Sequence, residues 1–200
     1  MAKLDLLTLL GNAAQALQEN QSALNQADSW NGDHGDNMVE IFTLAKQAIQ
    51  KNSGASPAEQ LTAASQALVA SKSGSAQLYS EGFAQAAETI QDREITPDNL
   101  VPLVQSLLGA GGQPTQESNP LAGLLGGLLG EDSSRQDDTL DFGDVLSAGF
   151  SFVQSKNKGQ NTISSLVSAI MGTSPNAQSP HRSQSGELVA TSLLDSLLDK

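Results

Sequence analysis

Fifteen residues, Leu24-Asn25-Gln26-Ala27-Asp28-Ser29-Trp30-Asn31-Gly32-Asp33-His34-Gly35-Asp36-Asn37-Met38, hold three aspartates, three asparagines, one histidine and the only tryptophan of the chain. Side-chain oxygens at this density suit a hard cation such as Mg²⁺, which prefers carboxylate and carbonyl ligands and is commonly shared with substrate phosphates. The same composition argues against a helix interior or a strand. A helix is expected to begin near Asp36 or Asn37, and its free N–H groups and positive dipole end would suit a phosphate. A metal–nucleotide loop is therefore one reading. A capped turn between helices is the other, and Asn/Asp/Gly loops commonly serve as that. A calcium loop does not fit. Counting from Asp28, the third position is Trp30, the fifth Gly32 and the sixth Asp33, whereas that loop needs oxygen ligands at alternate positions and glycine at the sixth.

Two more stretches carry polar groups at helix starts. Ser71-Lys72-Ser73-Gly74-Ser75 ends one helix and opens the next, an anion-ready corner or an ordinary serine-rich turn. His181-Arg182-Ser183-Gln184-Ser185-Gly186 leads into the last helix. No spacing pairs His34 with His181 for catalysis. With no cysteine and no Gly-x-Ser-x-Gly elbow, covalent hydrolase chemistry has no support.

These stretches sit between amphipathic helices. Leu6, Leu7, Leu10, Ala13, Ala14 and Leu17 recur at helical spacing and predict a helix over 3–19. A second helix is expected over about 37–51. Ser56-Pro57-Ala58-Glu59 is a capping box with proline at the first helical position, and a third helix follows to about Ser71. The fourth runs to about Gln91. Thr96-Pro97 opens a fifth, which ends at Gly109. Residues 109–119 have linker composition, and Leu121 to Gly130 is a short apolar glycine-rich piece. Helix six is expected over about 141–156 and helix seven over about 162–171. The last helix carries Leu188, Val189, Leu193, Leu194 and Leu197. No alternating β-branched pattern reads as a strand.

Composition narrows the function classes. A chain of 200 residues with 38% hydrophobic content can build one domain with a core. Its net charge of −12 argues against nucleic acid and anionic membranes as partners. No apolar run approaches the length of a membrane span. The apolar residues after Lys3 are broken by Asp5, so they read as an amphipathic helix rather than a leader. The lack of cysteine fits a reducing compartment, and a cytoplasmic protein is expected.

The first stretch, as Asn31-Gly32-Asp33-His34-Gly35-Asp36-Asn37-Met38, resembles the Asp-x-Asp-His/Thr-Gly-x-Asn-Met signature of the nucleotide-binding L subunit of dihydroxyacetone kinases. That domain also stands at the front of bacterial fatty-acid kinases, and Leu24-Asn25 has the offset seen in that branch. Ser73-Gly74-Ser75-Ala76-Gln77-Leu78-Tyr79 to Phe83 looks like the family's second motif. Arg182-Ser183-Gln184-Ser185 is similar to its third.

The resemblance implies an all-α, single-domain barrel of eight antiparallel amphipathic helices over residues 1–200, with a glycine-rich insertion at about 109–138. It implies ADP or ATP at one open end, held through two Mg²⁺ ions. Carried over by position, the metal ligands fall on Asn31, Asp33 and either Asn25 or Asp28, with Asp36 as an additional carboxylate. Asn37, Ser73, Gly74 and Ser75 would contact phosphates, His34 would stand beside them, and Arg182 would reach the phosphate end. A separate subunit or domain would hold the acceptor, which makes this chain a kinase component. Two departures favour a degenerate, non-catalytic relative that binds nucleotide or an apolar ligand as a scaffold. Asn31 stands where the family has aspartate, which removes a charge and weakens a hard-cation site. The family's lysine-bearing motif before helix six has only Asp137-Asp138-Thr139-Leu140-Asp141 in its place. A structural helical domain with no ligand is the third class.

Overall fold

The computed structural model describes residues 4–91, 93–109 and 159–196. Among these there are seven α-helices, one 3₁₀ turn and no strand. The helices are α1 (Leu6–Ala27), α2 (His34–Lys51), α3 (Pro57–Leu68), α4 (Gly74–Ile90), α5 (Pro97–Leu107), α6 (Gly159–Thr173) and α7 (Pro180–Asp195), with the 3₁₀ turn at Pro175–Gln178. None of them is long and apolar enough to cross a membrane. The helix expected over 141–156, the piece at 121–130 and most of the linker lie outside the described residues.

Consecutive helices pack side by side from α1 to α5, α7 packs on α1 and on α6, and α5 touches α7. The buried faces follow the expected spacing except at Val69, whose spacing places it inward at the end of the third helix but which lies just past α3 and is exposed. Leu10, Ala13 and Leu17 of α1 meet Ile41, Phe42 and Ala45 of α2 in one core with Leu61, Phe83, Leu100, Val167 and Val189. With few aromatics available, this core is built mainly of Leu, Ile, Val and Ala. Its aromatic centre is Phe42, edge-on to Tyr79 at 5.2 Å and tilted against Phe83 at 6.4 Å. The Tyr79 hydroxyl is buried with no hydrogen-bond partner among the described residues, and burial pushes its pKa up. A Tyr79→Phe variant, followed by its urea midpoint, is expected to match the parent or gain up to about 1 kcal/mol, because it removes an unpaired buried polar group. A loss greater than that would mean the hydroxyl is paired.

Several boundaries differ from expectation; α3 stops at Leu68 rather than about Ser71, and two shifts are larger. α1 continues to Ala27 instead of stopping near residue 19, because Leu24, fully buried, extends the Leu10–Leu17 spacing by another two turns. α7 begins at Pro180, well before Leu188, on a Ser179-Pro180 start of the same kind as Ser56-Pro57.

The starts of α1, α3 and α5 are capped from nearby in sequence. Asp5 Oδ2 accepts from Thr8 N at 2.8 Å. Ser56 and Glu59 form the reciprocal capping box. Asn99 Oδ1 accepts from Thr96 N at 2.8 Å. Each such cap satisfies donors that the first turn leaves free.

Candidate functional site

One end of the bundle gathers the loop after α1, the first turns of α2, the turn from α3 into α4, and the start of α7. Together they line a cleft of about 920 Å³. Its walls include Asp28, Trp30, Asn31, Asp33, His34 and Asn37 from the first stretch, Lys72 to Ser75 from the second, and His181 and Arg182 from the third. Three segments far apart in the chain thus meet at one place.

The first stretch is not a free loop throughout. α2 starts at His34, two or three residues earlier than expected, so Gly35, Asp36 and Asn37 form its first turn. Asn25 lies in the last turn of α1, and its Oδ1 accepts from Gly35 N at 2.6 Å and Asp36 N at 3.2 Å. Its amide therefore caps α2 from a neighbouring helix. Asn25 Nδ2 and Gln21 Nε2 both donate to Asp36 Oδ1, at 3.0 and 2.6 Å, and these bonds hold the Asp36 carboxyl below its usual range. Asn25 and Asp36 are thus bonded to each other beside α1, and neither lines the cleft. Gly35 makes the arrangement possible. A Cβ there would stand 2.2 Å from the backbone oxygen of Gln21.

Asp28, Asn31 and Asp33 do line the cleft. Asp28 Oδ1 accepts from Trp30 N at 3.0 Å and stands 3.9 Å from His181 Nδ1. The Trp30 hydrogen bond holds the Asp28 carboxyl below its ordinary range; burial opposes this, and the imidazoles of His181 and His34 reinforce it. Asp33 Oδ1 accepts from Asn37 Nδ2 at 2.6 Å. Asn31 is exposed. Among the described residues no three His, Asp or Glu side chains group as a metal site. As arranged, the oxygen donors are divided. Of the five candidate ligands, Asn25 caps α2, Asp36 accepts from Gln21 and Asn25 of α1, and the two cleft aspartates each accept one hydrogen bond, from an amide and from a backbone N–H. Asp28, Asn31 and Asp33 stay on the cleft wall, one of them a neutral amide, while Asn25 and Asp36 do not line it.

His34 is buried, and its Nε2 lies 2.9 Å from Ser185 Oγ. Ser185 Oγ donates its one proton to the Arg182 carbonyl oxygen at 3.0 Å, so His34 Nε2 is the donor in their contact. Burial first, and then the neighbouring His181, lower the His34 pKa to about 4. The ring is therefore neutral at ordinary pH. The His34 and His181 rings stand edge to face, 4.7 Å apart, a pairing that no sequence spacing indicates.

The α4 and α7 side of the cleft has a different chemistry. Ser73 and Ser179, the N-cap residues of α4 and α7, make no side-chain cap. Arg182 reaches across to α4, where a Cβ on Gly74 would stand 3.2 Å from its Nη2. Among the described residues Arg182 Nε and Ser179 Oγ are buried without hydrogen-bond partners. The helix-start N–H groups of α4 and a guanidinium with an unpaired Nε at one corner are what a phosphate would satisfy. Ser73, Gly74, Ser75 and Arg182 from the sequence reading come together here. Lys72 and His181 join them, and buried Ser185 is bonded to His34 and to the Arg182 carbonyl; each lies in or beside a quoted motif, but spacing alone does not single them out.

The described residues form an all-α, multi-helix domain with a polar cleft at one end. Residues 31–116 match the family model of the DAK2 domain, which links the chain to that family in general. The match takes in the α2 and α4 segments of the cleft and leaves out Asp28, Trp30 and Arg182. No curated protein and no solved structure matches the chain.

Proposed function

We propose that this chain is a non-catalytic DAK2-type domain that holds the polyphosphate of a nucleotide at one end of an eight-helix barrel and serves a separate partner as a scaffold. The observation that carries the reading is the contrast within the cleft. The α4–α7 corner presents unsatisfied donors and Arg182, while the oxygen ligands expected to hold Mg²⁺ are divided between capping α2 and bonding to neighbours. Phosphoryl transfer rests on positioning and on charge neutralisation by metal and cationic groups. Here Lys72 and Arg182 line the cleft, whereas only three of the five candidate metal ligands, Asp28, Asn31 and Asp33, do so, and one of these is a neutral amide.

In this reading the free N–H groups of Gly74 and Ser75 and the hydroxyls of Ser73 and Ser75 take phosphate oxygens, with Arg182 as the paired cation and Lys72 at the rim. Asn37 extends the same donor set from α2. Neutral His34, fixed by Ser185, supports Arg182 through their shared contact with Ser185.

Calorimetric titration of ADP and ATP into metal-free protein, with and without added Mg²⁺, tests this. ADP is expected to bind without Mg²⁺, ATP is expected to remain intact, and Arg182→Met is expected to weaken binding at least about tenfold, the scale of one charge-assisted contact. Binding that requires Mg²⁺ and vanishes in Asp33→Ala would restore the phosphotransferase reading, in which Asp28, Asn31 and Asp33 act as ligands. No binding by folded protein would leave a structural domain.

A further inference from the structure

We infer that Trp30 is the stacking platform for the nucleotide's base; this rests on the phosphate-binding reading and extends it to the class of ligand. Trp30 is 91% exposed although it lines the cleft. No other ring packs on it among the described residues. Its backbone is nevertheless held, because its N–H is bonded to Asp28 Oδ1 and the chain turns at Gly32 with φ 70°. An indole left bare on a pinned backbone stacks on a flat ligand with little loss of freedom.

Charge decides which end of a ligand lies against it. Asp28 and Asp33 flank Trp30 on the α1–α2 side, whereas Lys72, Arg182 and the open helix starts occupy the α4–α7 side. Carboxylates repel phosphate, so the phosphates go to the α4–α7 corner and the uncharged part of the ligand falls on the Trp30 side. An aromatic face beside hydrogen-bond acceptors suits a nucleobase, since every base offers a π face for stacking. A cleft of about 920 Å³ is large enough for both ends.

The test compares ADP with tripolyphosphate, which has the charge but no base, in the parent, Trp30→Ala and Trp30→Phe. Because Trp30 is the only tryptophan, its fluorescence reports on this residue alone. ADP is expected to quench it and tripolyphosphate to bind without quenching. Trp30→Ala is expected to weaken ADP roughly ten- to hundredfold, the range of one aromatic–base stack, to leave tripolyphosphate within about twofold, and Trp30→Phe to recover most of the loss. If both ligands bind and Trp30→Ala leaves ADP unchanged, the base lies elsewhere and the inference fails while the phosphate reading stands. If neither ligand binds, the phosphate reading fails and the inference fails with it.

Discussion

Gly35→Ala is expected to cost about 3 kcal/mol in a urea or thermal melt, or about 10 °C in Tm for a chain of this size. The added methyl would stand 2.2 Å from the Gln21 backbone oxygen and 2.8 Å from Asn25 Oδ1. Neither is the loose end of a flexible side chain, so α1 and α2 must part. Parting them also breaks the two bonds by which Asn25 caps α2, leaving first-turn donors unpaired. The glycine of the His34-Gly35 pair is therefore explained by helix contact before any ligand is considered. A loss below about 0.5 kcal/mol would show that the two helices slide apart freely at this point. Asn25→Ala should reproduce the capping part of the loss, about 1 kcal/mol, without the steric part.

The second large effect is in acid. His34 is neutral in the folded protein, with a pKa lowered to about 4 from the ordinary 6.5. The unfolded chain therefore takes up this proton first as pH falls. The contribution of His34 is undiminished above about pH 6.5, declines as pH falls toward about 4, and changes no further below that, where both states are protonated. The full decline amounts to roughly 3 kcal/mol. Asp28, Asp36 and Glu59 behave differently. Their pKa values are lowered in the fold, so their stabilisation is complete above the ordinary carboxylate range and is lost only as pH falls through and below it. Urea midpoints measured from pH 7 to pH 4.5 thus isolate the histidine. His34→Gln, which can still donate to Ser185, is expected to flatten the curve in that window. An unchanged slope would place the acid sensitivity elsewhere.

The two effects show which parts of the molecule can be read from local pattern. The Ser56–Glu59 capping box, the Pro57 and Pro97 starts and the apolar face of α1 follow from spacing, because each depends on residues within a turn or two of one another. The gathering of Asp33, Ser73 and Arg182 at one cleft was expected only through family resemblance, since no local rule brings positions so distant together. The task of Asn25 was not legible. It stands in a polar run, Gln18 to Ser22 obscured the continuing helix, and its partners lie on a neighbouring helix. Asp36 likewise looks like a cleft carboxylate until the packing of α1 on α2 turns it to Gln21 and Asn25. The Ser179-Pro180 signal was as strong as the other two cap-then-proline starts, but the surrounding Ser/Asn-rich stretch read as loop.

The open starts of α4 and α7 have a further consequence. These helices belong to distant parts of the chain, and Arg182 bridges them at Gly74. An anion bonded to both at once acts as a non-covalent cross-link that closes a long loop. Once it is bound, unfolding either helix alone requires releasing it, so opening of the two becomes linked. The mechanical continuity of this end of the bundle would then be set by occupancy, and a partner resting there would meet a stiffer surface when the anion is present.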